Sequence, residues 1–192
     1  TEFLGTDVLE KVFGNQGAAQ IRENFAELQT GLSAGDAPVM ASIDALNSSA
    51  DTILAAHDGV LARFTAAEKT KFTGFADSAR TARDGLNAIA GIDTASLGLD
   101  SVDASLAQMN TLLGDWDDRV SDMQDARSAY ESALNDYRTY TSANAGKKGQ
   151  PEYEEQVLLF VQAAQRYNYA ASAFQSYANA LRESEAVLKA TL

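Results

Sequence analysis

One histidine, one arginine set among apolar neighbours, a run of aspartates and a group of tyrosines are the residues here whose types and spacing could do chemistry. His57 is the sole histidine of the 192 residues and shares a register with Ile53, Val60 and Phe64. It reads as a partly buried histidine with a hydrogen-bond partner. A His-based triad or a His-rich metal site has no second imidazole to build on. Asp115, Asp117, Asp118, Asp122 and Asp125 suggest calcium at first sight. They lack the glycine and alternating ligands of an EF-hand loop, and they fall mid-helix, where side chains diverge by about 100° per residue. They read as a solvated face. No catalytic, metal or cofactor-binding residue is assigned, no cofactor is expected, and the chain is read as not being an enzyme.

Arg127 occupies a core position between Val120 and Leu134, where a charge is costly unless it is paired. Tyr167 is expected opposite it, which allows cation–π stacking. A carboxylate partner, an anion-binding role in a ligand pocket and snorkelling to solvent are the other readings. Arg127 and Tyr167 are therefore the candidates for ligand binding or for setting helix register. Of the tyrosines at 153, 167, 169 and 177, Tyr169 and Tyr177 lie off the main stripe, about two turns apart. They are read as sharing one face, either packed on a third helix or open to a protein partner. Lys147 and Lys148 complete that candidate surface.

These residues must be positioned by helices. Leu106, Met109, Leu113, Trp116, Val120, Met123, Tyr130, Leu134 and Tyr137 recur in a heptad rhythm, as do Val157, Phe160, Ala164, Tyr167, Ala171, Phe174, Ala178, Leu181 and Leu188. Folding the chain back at Gly146–Pro151 sets large residues against small ones: Trp116 opposite Ala178, Met123 opposite Ala171, Tyr130 opposite Ala164. That predicts an antiparallel hairpin with coiled-coil-like packing. The expected fold is all-α, an elongated antiparallel bundle of three long helices plus a shorter one, in a single domain over 1–192. A short amphipathic segment spans 1–16 and helix A 17–32. Helix B covers 37–90, read as continuous, with Thr65–Glu68 as a capping box if it breaks. Asp36 is its expected N-cap. Helix C spans 95–143, after a turn at Gly91–Asp93. Helix D spans 151–190, with Pro151 at its first position and glutamates in its first turn.

Charge bears on partners. With 15 basic and 27 acidic residues the net charge is −12, so nucleic acid is not expected and membrane contact is disfavoured. There is no cysteine, which excludes disulfides and thiolate chemistry. No apolar run approaches the ~20 residues of a membrane span. The opening at Thr1 reads as a mature form or an excised domain. Residues 93–125 hold eight aspartates and one arginine, while 63–83 hold Arg63, Lys69, Lys71, Arg80 and Arg83. Antiparallel pairing is expected to bring Arg63 near Asp122 and Arg83 near Asp100 or Asp103. The partner expected is a protein or a second copy, with a small-molecule ligand as the other possibility.

By helix count and length, the outline resembles BAR-type membrane-curvature modules. That likeness implies a dimeric, membrane-associated module; where such modules use a basic concave face, this acidic chain has only Lys147 and Lys148 at the predicted tip. It is also similar in outline to the extracytoplasmic ligand-binding domains of bacterial chemoreceptors and sensor kinases, since the heptad of helix D persists almost to residue 192. This second likeness implies a small molecule bound between helices.

Overall fold

The computed structural model describes residues 30–32, 34–35, 37–89 and 99–191. Its elements are α1 (Ala37–Leu61), α2 (Ala66–Asn87), α3 (Leu99–Gly114), α4 (Trp116–Ala143), a 3-10 turn at Ala145–Lys147 and α5 (Pro151–Thr191). The fold is all-α, and no strand occurs among the described residues. The 1–16 segment, most of helix A, Asp36 and the Gly91–Asp93 turn lie outside those residues.

Expected helix B is two helices, a correction with a local cause. After Leu61 the ladder tightens, as Arg63 N donates to Val60 O and Phe64 N to Leu61 O. Thr65 then turns extended, at φ −89° and ψ 161°, and its hydroxyl accepts from Glu68 N at 3.2 Å. The cap satisfies one of the orphan amides that any new helix start exposes. A break therefore needs neither glycine nor proline.

Expected helix C is also divided, into α3 and α4, with Asp115 at the junction. The i→i−4 bonds flank the junction: Asp115 N reaches Thr111 O, and Arg119 N reaches Asp115 O. The helix is kinked there more than it is ended. Tyr177 supplies a cause, because its hydroxyl donates to Leu112 O at 2.6 Å. A side chain that takes a ladder carbonyl bends a helix at that turn.

The contacts gather into two compact units where the sequence suggested one bundle. The described residues of Thr1–Asp58 and Met123–Ala171 form the first, and those of Gly59–Asp122 and Ser172–Leu192 the second. In the first, α1 contributes Ile43, Leu46, Ala50 and Leu54 to the core, at the 3–4 spacing of one helix face. Tyr130, Leu134 and Tyr137 of α4 and Val157, Phe160 and Ala164 of α5 are buried in the same unit. Tyr130 stacks on Phe160 and Tyr167, which lie on either side of Ala164 along α5. Tyr140 meets Tyr153 at 6.2 Å. These contacts fit the antiparallel register expected for the α4–α5 hairpin.

In the second unit, Phe64 is the hub of an aromatic cluster. Its ring lies 4.9 Å from Trp116, 4.6 Å from Phe174 and 6.1 Å from Tyr177. The expected charge pairing between α2 and α3–α4 is present at Arg83–Asp103 (2.6 Å) and Lys69–Asp117 (2.8 Å). Arg80 adds a hydrogen bond to Asn110 at 3.1 Å. Arg63 departs from the expectation. It is exposed and makes no ion pair with Asp122 among the described residues. It sits in the linker between α1 and α2, so the helical register that would have aimed it is lost there.

Candidate functional site

Three features of the first unit gather the candidate residues: an ion-paired face, a buried ring column and an open groove. The ion-paired face joins α1 to α4. Arg127 grips Asp58 in a two-pronged bond, Nε to Oδ1 at 2.5 Å and Nη2 to Oδ2 at 2.9 Å, and reaches Glu131 with Nη1 at 2.6 Å. Three turns on, Arg138 holds both carboxylate oxygens of Asp51 at 3.0 Å. It also donates to Asn47 at its side-chain oxygen (2.9 Å) and its backbone carbonyl (3.1 Å). The planar guanidinium fork matches a carboxylate, which makes such pairs specific in geometry. Each arginine holds its aspartate below the ordinary carboxylate range, chiefly through these hydrogen bonds.

Arg127 thus corrects the cation–π expectation in favour of its carboxylate alternative. The reason lies in what already surrounds Tyr167. Tyr130 stacks on it at 4.9 Å, and His57 meets it in a T-shaped contact at 4.8 Å. Asp58, next to His57 on α1, offers the guanidinium two oxygens instead. Arg138 is a member of this face that the heptad rhythm does not mark. A signal for it exists in Asp51 and Asp58, seven residues apart, facing Arg127 and Arg138, eleven apart.

The ring column runs Tyr137, Phe160, Tyr130, Tyr167, with successive centroids 4.5, 6.1 and 4.9 Å apart and planes within 18°. Stacked rings favour such offset, near-parallel geometry. Burial raises Tyr130 and Tyr137 to about 12 and pushes Tyr167 up as well. The hydroxyls of Tyr130 and Tyr167 meet no hydrogen-bond partner among the described residues. His57 closes the column at 4% exposure, and burial lowers it to about 4, with Asp58 opposing more weakly. It is a neutral imidazole at neutral pH.

The open groove lies between α4 and α5. Ala126, Ala129, Ala133 and Ala163 form its floor, and its volume is about 680 Å3. Asp125 and Arg166 stand at one end, and Asp136 and Gln156 at the other. Leu159 projects into it while half exposed, at 50%. A second cavity of about 600 Å3 lies where α1 and α5 begin. Leu32, Met40 and Val157 line it with Asp44, Lys148, Tyr153 and Glu154.

Tyr169 and Tyr177 do not share a face, which corrects the expectation for them. Tyr169 is 47% exposed, whereas Tyr177 is buried in the second unit and bonded to Leu112. Eight residues advance a helix by about 800°, or 80° beyond two full turns. That remainder is enough to turn one ring outward and the other inward. Lys147 and Lys148 are both exposed beside Gly149, whose φ of +86° makes the turn. Among the described residues, no group of three or more His, Asp or Glu is placed to hold a metal ion. No helix among them is long and apolar enough to cross a membrane.

The chain matches no family model, no curated protein and no solved structure. A functional reading therefore rests on the arrangement itself.

Proposed function

We propose that this chain is a non-catalytic interaction module that works through the exposed faces of its helices, the α4–α5 face of the first unit foremost. One observation carries the reading. The groove sets a half-exposed leucine above an alanine floor and leaves charges of both signs at its rim. An isolated exposed leucine is ordinary. A leucine set in a groove that follows two helices has the form of a helix-docking face. The arginines facing α1 are engaged with carboxylates, so they serve register and not a partner. The BAR-like likeness bears on the reading as a form of dimer, since a net charge of −12 opposes an anionic bilayer.

A photo-crosslinking residue at position 159 or 163, introduced in the native cell, tests this. Adducts are expected there and not from position 182, on the exposed side of α5 in the second unit. Absence of adducts at both groove positions would end the reading.

A sensory bundle is the second reading, favoured by the cavity at the start of α1 and α5. Its apolar wall and its Asp44, Glu154 and Lys148 suit a small amine or amino acid, because such pockets pair an apolar wall with a few polar groups. A thermal-shift screen of amines and amino acids should then raise the melting temperature by about 4 °C or more at a hundredfold excess over Kd. A flat response across the screen would dismiss it.

A further inference from the structure

We propose that the partner seated on the α4–α5 groove is a second copy of this chain, related by a two-fold axis running along the groove. This rests on the interaction-module reading and names its partner. A two-fold contact must be self-complementary, since each patch meets itself with the two sides exchanged. An axis along the groove lays α5 of one copy on α4 of the other without exchanging the groove's ends.

The lining can be followed row by row under that operation. At one end, Arg166 on α5 comes to face the partner copy's position 125, an aspartate. In the middle, Leu159 comes to face position 133 and its neighbour 129, both alanines, so the projecting side chain meets the floor with room for it. At the other end, Gln156 comes to face position 136, an aspartate able to accept from its amide. Each row therefore sets a donor against an acceptor or a large residue against a small one. The converse juxtapositions, Asp on Asp or Leu on Leu, do not arise.

The charges needed for this are uncommitted. Arg166, Asp125 and Asp136 take part in none of the ion pairs among the described residues, whereas Arg127, Arg138, Asp51 and Asp58 on the α1-facing side are all engaged. Charge complementarity thus favours a copy of this chain over an unrelated helix. A partner of different sequence would have to supply the same pattern of base, small residue and acid in the same order.

Sedimentation velocity and light scattering on the full chain, from about 1 to 100 μM at low salt, test the proposal. The expected mass is twice the 20.5 kDa of the chain. Arg166→Asp and Asp125→Arg should each weaken the dimer by about tenfold or more, and the charge-exchanged double variant should recover most of that loss. Leu159→Lys should give monomer with an unchanged circular-dichroism spectrum, since the side chain is half exposed. A monomer throughout the range, single variants that leave the dimer intact, or a double variant without rescue would each overturn it. A monomeric chain that still crosslinks to a different protein from position 159 removes the second copy and keeps the interaction module. A silent groove in both experiments removes both.

Discussion

Tyr130→Ala is expected to cost ~3–5 kcal/mol of folding stability, read from urea unfolding, as for other large aromatic deletions in packed cores. Tyr130 is 1% exposed and stands between Phe160 and Tyr167 in the ring column. Its removal therefore opens a cavity and ends two stacking contacts at once. Tyr130→Phe keeps the ring and removes a buried hydroxyl that has no partner among the described residues. That variant should be neutral or more stable by up to ~1 kcal/mol, because an unmet buried hydroxyl weighs against folding. The contrast between the two variants is the test. A Tyr130→Phe loss as large as that of Tyr130→Ala would show that the hydroxyl, not the ring, holds the column.

Acid should weaken the first unit before the arginine-held Asp51 and Asp58 protonate. His57 is lowered by burial from 6.5 to about 4 in the folded chain. Between those values the unfolded chain binds a proton that the folded chain does not, so stability falls as pH falls. The contribution is fully present above about pH 6.5 and lost by about pH 4. Roughly 2–3 kcal/mol is at stake, because each tenfold change in proton affinity is worth about 1.4 kcal/mol, less some residual solvation. Below that window Asp51 and Asp58, held low by their arginines, add a further loss. Urea midpoints at several pH values should show the slope between 6.5 and 4, and His57→Gln should flatten it. An identical slope in the variant would place its origin elsewhere.

How far these features can be read from the sequence varies with how local their causes are. The all-α class and the α4–α5 register are legible because large and small residues alternate across the hairpin, as at Tyr130 and Ala164. Arg83–Asp103 is legible because antiparallel order alone brings those charges together. The break before α2 has a visible cap in Thr65 and Glu68, and such a cap ends a helix without help from glycine or proline. The kink at Asp115 is not legible, since the side chain involved belongs to Tyr177, more than sixty residues on. Arg138 lies off the hairpin seam and its partners are on α1, so no apolar rhythm points to it. Of the groove, the sequence draws attention only to Asp125, as one of a run of aspartates. Its floor is alanine, and alanines in a helix look alike from sequence whether covered or bare.

The paired arginines on α4 have a mechanical consequence. Asp51 and Asp58 are about 10 Å apart along α1, and Arg127 and Arg138 about 16 Å apart along α4, at ~1.5 Å per residue. The difference is taken up by the long side chains and their acceptors, so the two bridges act as opposed diagonal struts in a truss. Sliding α1 either way along α4 stretches one strut while it slackens the other. A shift of one full turn, about 5.4 Å, would pull the stretched guanidinium away from its aspartate while the other bridge goes slack. Axial shear between these helices is therefore stiff in both directions, and a force arriving along α1 would be passed on as thrust instead of being absorbed as slip.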